Sequence, residues 1–186
     1  MTKQQNEKKK AKQEKEDTPA ADLPTQLDLS LLATAYHEAG HAVMAAIVGR
    51  PVQKVTIAPA QMQTGGVRLG AVRFKKGRSK PAKDWLEDEV LIQLAGMVAE
   101  SHLTDHYCDQ GASSDLRNVR RLLESRANNE RQLEKLERRM LDKTEYLLSD
   151  EAHAKAIKMI AHELIEKESI SGRAVQHLLN MAIQQK

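Results

Sequence analysis

The chain has 186 residues, 30% of them charged, and 29 Lys and Arg against 26 Asp and Glu give a formal net charge of +3. That length suits one domain with a tail. So small a charge excess, with only 3% aromatic residues, argues against a nucleic-acid surface built on phosphate contacts and base stacking.

Residues 1–27 are rich in Lys, Gln and Glu and close on Thr18-Pro19-Ala20 and Leu23-Pro24. Such a stretch buries too little apolar surface to offset its ordering entropy, so a disordered charged tail is expected there. The remainder, 28–186, reads as one domain. Its N-terminus lacks the apolar centre of a secretory signal, and no apolar run approaches the roughly 18 residues that span a bilayer. The single cysteine, Cys108, excludes an internal disulfide and suits a reducing compartment. A cytoplasmic chain without an integral membrane segment is expected.

Helical periodicity runs from Leu27 to Arg50 and stops at Gly49-Arg50-Pro51, a C-cap glycine followed by a breaker. Val52–Ile57 and Gly66–Phe74 read as the strands of a hairpin, and Gly70, where the alternation changes phase, marks a bulge or bend. The basic loop Lys75–Lys83 follows, read first as a solvated loop and second as a guide for an acidic substrate or polyanion. Asp84 is placed to cap a helix over Trp85–His102, with Val90, Leu91, Leu94, Ala95, Val98 and Ala99 as its apolar stripe. Ser113 or Ser114 is the expected cap of a helical region reaching about Leu148. Its charged part, Arg117–Lys143, carries the narrow stripe Leu133, Leu136 and Met140, and is read as an exposed helix or helical hairpin that could dock a partner. A further helix starts at Ser149-Asp150-Glu151, breaks at Ser169–Gly172, and is followed by a last one over Ala174–Gln184. The fold expected is mainly α with a small β-hairpin.

The chemistry concentrates in Tyr36-His37-Glu38-Ala39-Gly40-His41-Ala42. Histidines four apart lie on one face of a helix, one turn over the other, so their imidazoles can meet at one zinc ion. Glu38 is spaced to act on a water at that ion without being a ligand. Two such histidines can also be ordinary core residues, but the run Ala42–Val48 would anchor the helix and hold both rings. A catalytic zinc takes a third protein ligand and keeps one open position. By chemistry alone Glu100, His102, Asp105, His106, Cys108, Asp109 and Asp115 all remain candidates, and Asp115 would suit a helix first turn with no metal present. Glu100 is also a candidate to support a ligand from behind.

The motif at 36–42 is followed by Lys54-Val55-Thr56-Ile57-Ala58-Pro59, Leu94–Glu100, Gly111-Ala112-Ser113-Ser114-Asp115-Leu116 and Glu163–Glu168. These five blocks, in this order over about residues 34–180, resemble the peptidase domain of the FtsH family of ATP-dependent zinc proteases. The resemblance implies a mainly helical domain with a β element near the active site, His37, His41 and Asp115 as ligands of Zn2+, and Glu38 as the base that activates water. It also has departures. No Gly-x-x-x-x-Gly-Lys-Ser/Thr phosphate loop occurs in these 186 residues, and Ala95-Gly96-Met97 stands where the family has a Gly-Gly-Arg type sequence. The region between Asp115 and Ser149 is shorter and more charged than in the family. The expected function is therefore a zinc metalloendopeptidase acting on peptides or unfolded proteins without an ATPase or membrane anchor of its own. The alternative is a peptidase subunit, or a catalytically silent zinc-binding module, working with a separate ATPase or adaptor. A homo-oligomer is a further candidate arrangement, and nucleic acid is not an expected partner.

Overall fold

The computed structural model describes residues 26–61 and 67–185. Residues 26 and 27 of the expected tail lie within this range, already in the first helix, and the rest of that tail lies outside it. The elements run α1 (Gln26–Ile47), β1 (Val52–Thr56), β2 (Ala60–Gln61), β3 (Val67–Arg68), β4 (Ala71–Phe74), α2 (Trp85–Thr104), α3 (Ser113–Glu124), α4 (Glu130–Leu148), α5 (Glu151–Lys167), β5 (Ser169–Ser171) and α6 (Gly172–Gln184). The mainly helical expectation holds. Among the described residues no helix is long and apolar enough to cross a membrane.

The end of α1 follows from local chemistry. Gly49 adopts φ 78°, its N–H donates to the Ala46 carbonyl at 3.2 Å, and the Arg50 N–H donates to that of Ala45 at 2.7 Å. This paired pattern is a glycine-terminated helix end. Asp84 caps α2 as expected, accepting from the backbone N–H groups of Leu86 and Glu87, while Asp150 caps α5.

α2 is the central wall. Its whole middle, Val90–Ile92 and Leu94–Glu100, is buried, and it contributes to two separate cores. On one side Leu91, Ile92, Ala95, Val98 and Ala99 join Val43 and Met44 of α1, Val55 of β1, and Ile157, Ile160 and Leu164 of α5. On the other, Leu86, Val90, Leu94 and Met97 meet Val119 and Leu123 of α3 with Leu133 and Met140 of α4. The stripe of Leu133, Leu136 and Met140 is thus covered within the chain, and it is not a free docking face. The helical region 113–148 is a hairpin broken at residues 125–129, where Asn129 caps α4.

The sheet differs from the simple hairpin. β1 is central, antiparallel to β4 on one side and to β5 on the other. Of the segment Ser169–Gly172, expected only as a break, Ser169–Ser171 form a strand because β1 has a second edge to satisfy, and Gly172 opens α6. Glu168 turns the chain with φ 56°, its carbonyl accepts from Ile57 N–H at 2.9 Å, and Ile170 is buried against the core. The expected second strand is split into β3 and β4, with β3 pairing instead with β2. The irregularity in register sits between Val52 and Lys54 of β1, whereas Gly70 lies in the gap between β3 and β4.

Neither serine caps α3. Ala112 holds that position with φ −91° and ψ 6°, without a side-chain hydrogen bond. The helix emerges directly from the turn at 109–112, so the extended backbone that a capping hydroxyl needs never forms.

The cap of α2 carries a pH signature. The Arg126 guanidinium, hydrogen-bonded to Asp84 at 2.8 Å, is the main cause holding that carboxyl down at about 2, aided by the backbone N–H groups it caps and opposed by burial. A lowered folded-state pKa contributes stability above the unfolded value and loses it as pH falls through the folded one. Asp84→Ala should therefore cost about 1 kcal/mol at neutral pH. Urea unfolding of both proteins should show the difference shrinking as the pH drops from about 4 to about 2.

Candidate metal centre

α1 places His37 and His41 one turn apart, their ring centroids 4.7 Å from each other and their planes at 81°. Each ring is held from behind. The Nδ1–H of His41 donates to the Ile92 carbonyl at 2.7 Å, and the Nδ1–H of His37 donates to Glu100 Oε2 at 3.1 Å. A carbonyl or carboxylate oxygen can only accept, which fixes the proton on Nδ1 in each case and turns both Nε2 atoms toward a common point.

Asp115 meets them there. It sits in the first turn of α3, with Oδ2 3.2 Å from His37 Nε2 and 3.5 Å from His41 Nε2. These three side chains offer ligand atoms all within 4.8 Å of one another. Two imidazole nitrogens and one carboxylate oxygen are a donor set suited to a catalytic divalent ion such as zinc. Of the seven candidates for a third ligand, the fold brings Asp115 to the group and puts Glu100 behind His37. His102, Asp105, His106 and Asp109 are exposed, and Cys108 is half-buried; none of these joins the group. Glu38, adjacent to His37, is buried at the same place.

Two glycines missing from the sequence-based site shape it. A Cβ on Gly96 would lie 2.6 Å from the Nε2 atoms of both His37 and His41, and one on Gly70 would lie 2.6 Å from Glu38 Cγ and 2.7 Å from its Cδ. The backbone of α2 thus forms the floor under the rings, and the gap between β3 and β4 closes over the carboxyl of Glu38. The signal for Gly96 was a glycine in the interior of an apolar helix, where it costs about 1 kcal/mol against alanine unless close packing requires it.

The electrostatics follow from the crowding. Burial works to lower the His37 pKa, but hydrogen bonds with Asp115 and Glu100, together with the charge of Glu38, outweigh it and hold the imidazole up at about 9. Asp115 is the counterpart: burial works to raise it, and hydrogen bonds with His37 and His41 prevail and keep it well below the usual carboxylate range. Without a metal the group therefore holds a proton between His37 and Asp115, and an entering cation competes with that proton.

A family model described as peptidase family M41 matches residues 28–129, more than half of the chain. The chain belongs to peptidase family M41. The matched part of this M41 chain runs from α1 to the turn before α4 and contains His37, Glu38, His41 and Asp115. It is also similar to the ATP-dependent zinc metalloprotease FtsH of Protochlamydia amoebophila, 40% identical over 50% of this chain and 10% of that protein. The same-named protein of Ruminiclostridium cellulolyticum is 38% identical over 48% of this chain and 14% of its own length. That of Acidimicrobium ferrooxidans is 26% identical over 80% of this chain and 28% of its length. The M41 chain spans between 10% and 28% of the length of these three relatives.

Gly96→Ala should leave the fold intact, because the added methyl meets the outer ends of two imidazoles. It should weaken zinc binding by about 10- to 100-fold. Competition titration with a chromophoric chelator, with circular dichroism as the fold control, checks both.

Proposed function

We propose that this chain is a zinc-dependent endopeptidase that hydrolyses peptide bonds in peptides and unfolded protein segments. The observation that carries this reading is the convergence of His37, His41 and Asp115 beside the buried carboxyl of Glu38. Zinc, named in the description of the relatives, is the ion that this donor set favours; when bound it supplies Lewis acidity to the scissile carbonyl and to water.

The chain's own residues would do the rest. Glu38 takes the proton of the attacking water and returns it to the departing amine. Its place against Gly70 fixes the carboxyl, so the proton acceptor is oriented before substrate arrives. Glu100 and the Ile92 carbonyl hold the two rings, which keeps both Nε2 lone pairs available. A buried carboxyl is a poor choice for a merely structural metal site, which favours four closed nitrogen or sulfur ligands. Short peptides and unfolded segments need no prior unfolding in this scheme. Stably folded proteins would require a separate ATPase or adaptor to open them.

Zinc-loaded chain should cleave an unfolded protein without nucleotide. Glu38→Gln should bind zinc with similar affinity and lose about 100- to 10,000-fold in rate. Cleavage that persists in a rigorously pure Glu38→Gln preparation would refute the role given to this carboxyl.

A further inference from the structure

We propose that the cleft between α2 and α3 is a subsite for an acidic side chain of the substrate, about three residues from the bond that is cut. The proposal rests on the peptidase reading above and adds a substrate preference to it.

The cleft has a volume of about 390 Å3 and is lined by Trp85, Glu89 and Gln93 of α2, by Asn118 and Arg121 of α3, and by Arg50. Its position follows from helical spacing. Trp85, Glu89 and Gln93 recur every four residues, and Gly96, the floor of the metal group, stands three further on, so all four share one stripe of α2. On α3, Asn118 lies nearly one turn beyond Asp115, and Arg121 about one and two-thirds turns beyond it. At 1.5 Å per residue, Glu89 is about 10 Å along its helix from Gly96, and Arg121 about 9 Å from Asp115. An extended peptide covers that distance in about three residues.

The charges left over around the cleft are cations. Each acidic side chain at the start of α2 already has a basic partner: Asp84 with Arg126, Glu87 with Lys143, Asp88 with Arg78 and Glu89 with Arg50. Arg121 has only the amide oxygen of Asn118, at 3.3 Å. Among the described residues no carboxylate pairs with Arg121, Lys80 or Lys83. Lys80 packs against Gly49, next to Arg50, and Lys83 is two residues ahead of Trp85. The basic loop of residues 75–83 therefore runs beside the neighbour of one residue that lines the cleft, Arg50, and ends two residues before another, Trp85. The one carboxylate lining it, Glu89, is matched by Arg50, and the surplus positive charge falls to Arg121 and the loop lysines. Trp85, 61% exposed, adds an apolar wall for the stem of a glutamate or for a neighbouring side chain.

Trp85 is the sole tryptophan of the chain, so its fluorescence reports the cleft directly. In the first arm, zinc-loaded full chain digests an unfolded protein and the new ends are read by mass spectrometry. Asp and Glu should be enriched over Lys and Arg about fivefold at positions two to four from the cut, on one side only. Arg121→Glu should erase or reverse this ratio, and Arg121→Lys should keep most of it. In the second arm, Glu38→Gln chain is titrated with two versions of one unstructured peptide, carrying Glu or Lys, and followed by Trp85 emission. The Glu version should bind more tightly by a similar factor, and less so as salt rises. Cleavage with no charge preference, or with a preference that Arg121→Glu leaves unchanged, overturns the subsite and leaves the peptidase reading standing. Charge-selective binding without cleavage by the wild-type chain supports the subsite and overturns the peptidase reading. Neither cleavage nor selective binding overturns both.

Discussion

The site depends on how closely α1 and α2 are allowed to approach. The two helices exchange glycines across their contact. Gly40 of α1 faces Ala95 and Ala99 of α2, and Gly96 of α2 lies under the imidazoles of His37 and His41. A side chain at Gly40 would run into the Ala95 carbonyl oxygen and push the axes apart, and the carbonyl of Ile92 could no longer reach the ring of His41. The ligand face is therefore set by backbone packing as much as by the ligands themselves. The small residues of α1, with Ala35, Ala39 and Ala42 all fully buried, belong to the same requirement, because ordinary side chains would hold two helices about 8–10 Å apart.

Three carboxyl groups, Glu38, Glu100 and Asp115, crowd around two imidazoles in a largely buried space. Burying charge is costly unless it is paired and hydrogen-bonded. The proton shared by His37 and Asp115 relieves part of that cost, and a divalent cation would relieve more. The arrangement is thus electrostatically incomplete in a way that favours a metal, independently of any resemblance to known proteases. The cleft further along the same helices, lined by Arg50 and Arg121 with Glu89 as its one carboxylate, has the opposite sign.

Much of this was legible in the sequence because it rests on local rules. His37 and His41 were placed on one face by spacing alone. The glycine end of α1, the Asp84 cap and the buried stripe of α2 all followed from side-chain chemistry within a turn or two. What the sequence left open was non-local. Seven side chains could have supplied a third ligand, and spacing has no means of choosing among residues in another element; only the resemblance pointed to Asp115. β5 was missed because three residues carry too short an alternation, and its pairing depends on an edge of β1 more than a hundred residues away. The stripe on α4 looked available for a partner because periodicity records that a face is apolar without recording what covers it. Gly70 was noticed as a bend, but its closeness to Glu38 is a contact across the fold.

The two cores on either side of α2 have a consequence for how the molecule holds together. His37 and His41 belong to the helix that anchors the first core, whereas Asp115 stands on the hairpin that closes the second. An ion held by all three would act as a rivet between two packing units that otherwise share α2 and the C-terminal part of α4. Occupancy and hairpin docking must then be linked: whatever free energy the ion gains from a docked hairpin, the docked hairpin gains from the ion. Loss of metal would loosen α3 first, since it packs only in the second core, and in doing so would take apart one wall of the cleft. Any ligand that the cleft grips through α3 would then bind more tightly with the ion in place, and would help to hold the ion in return.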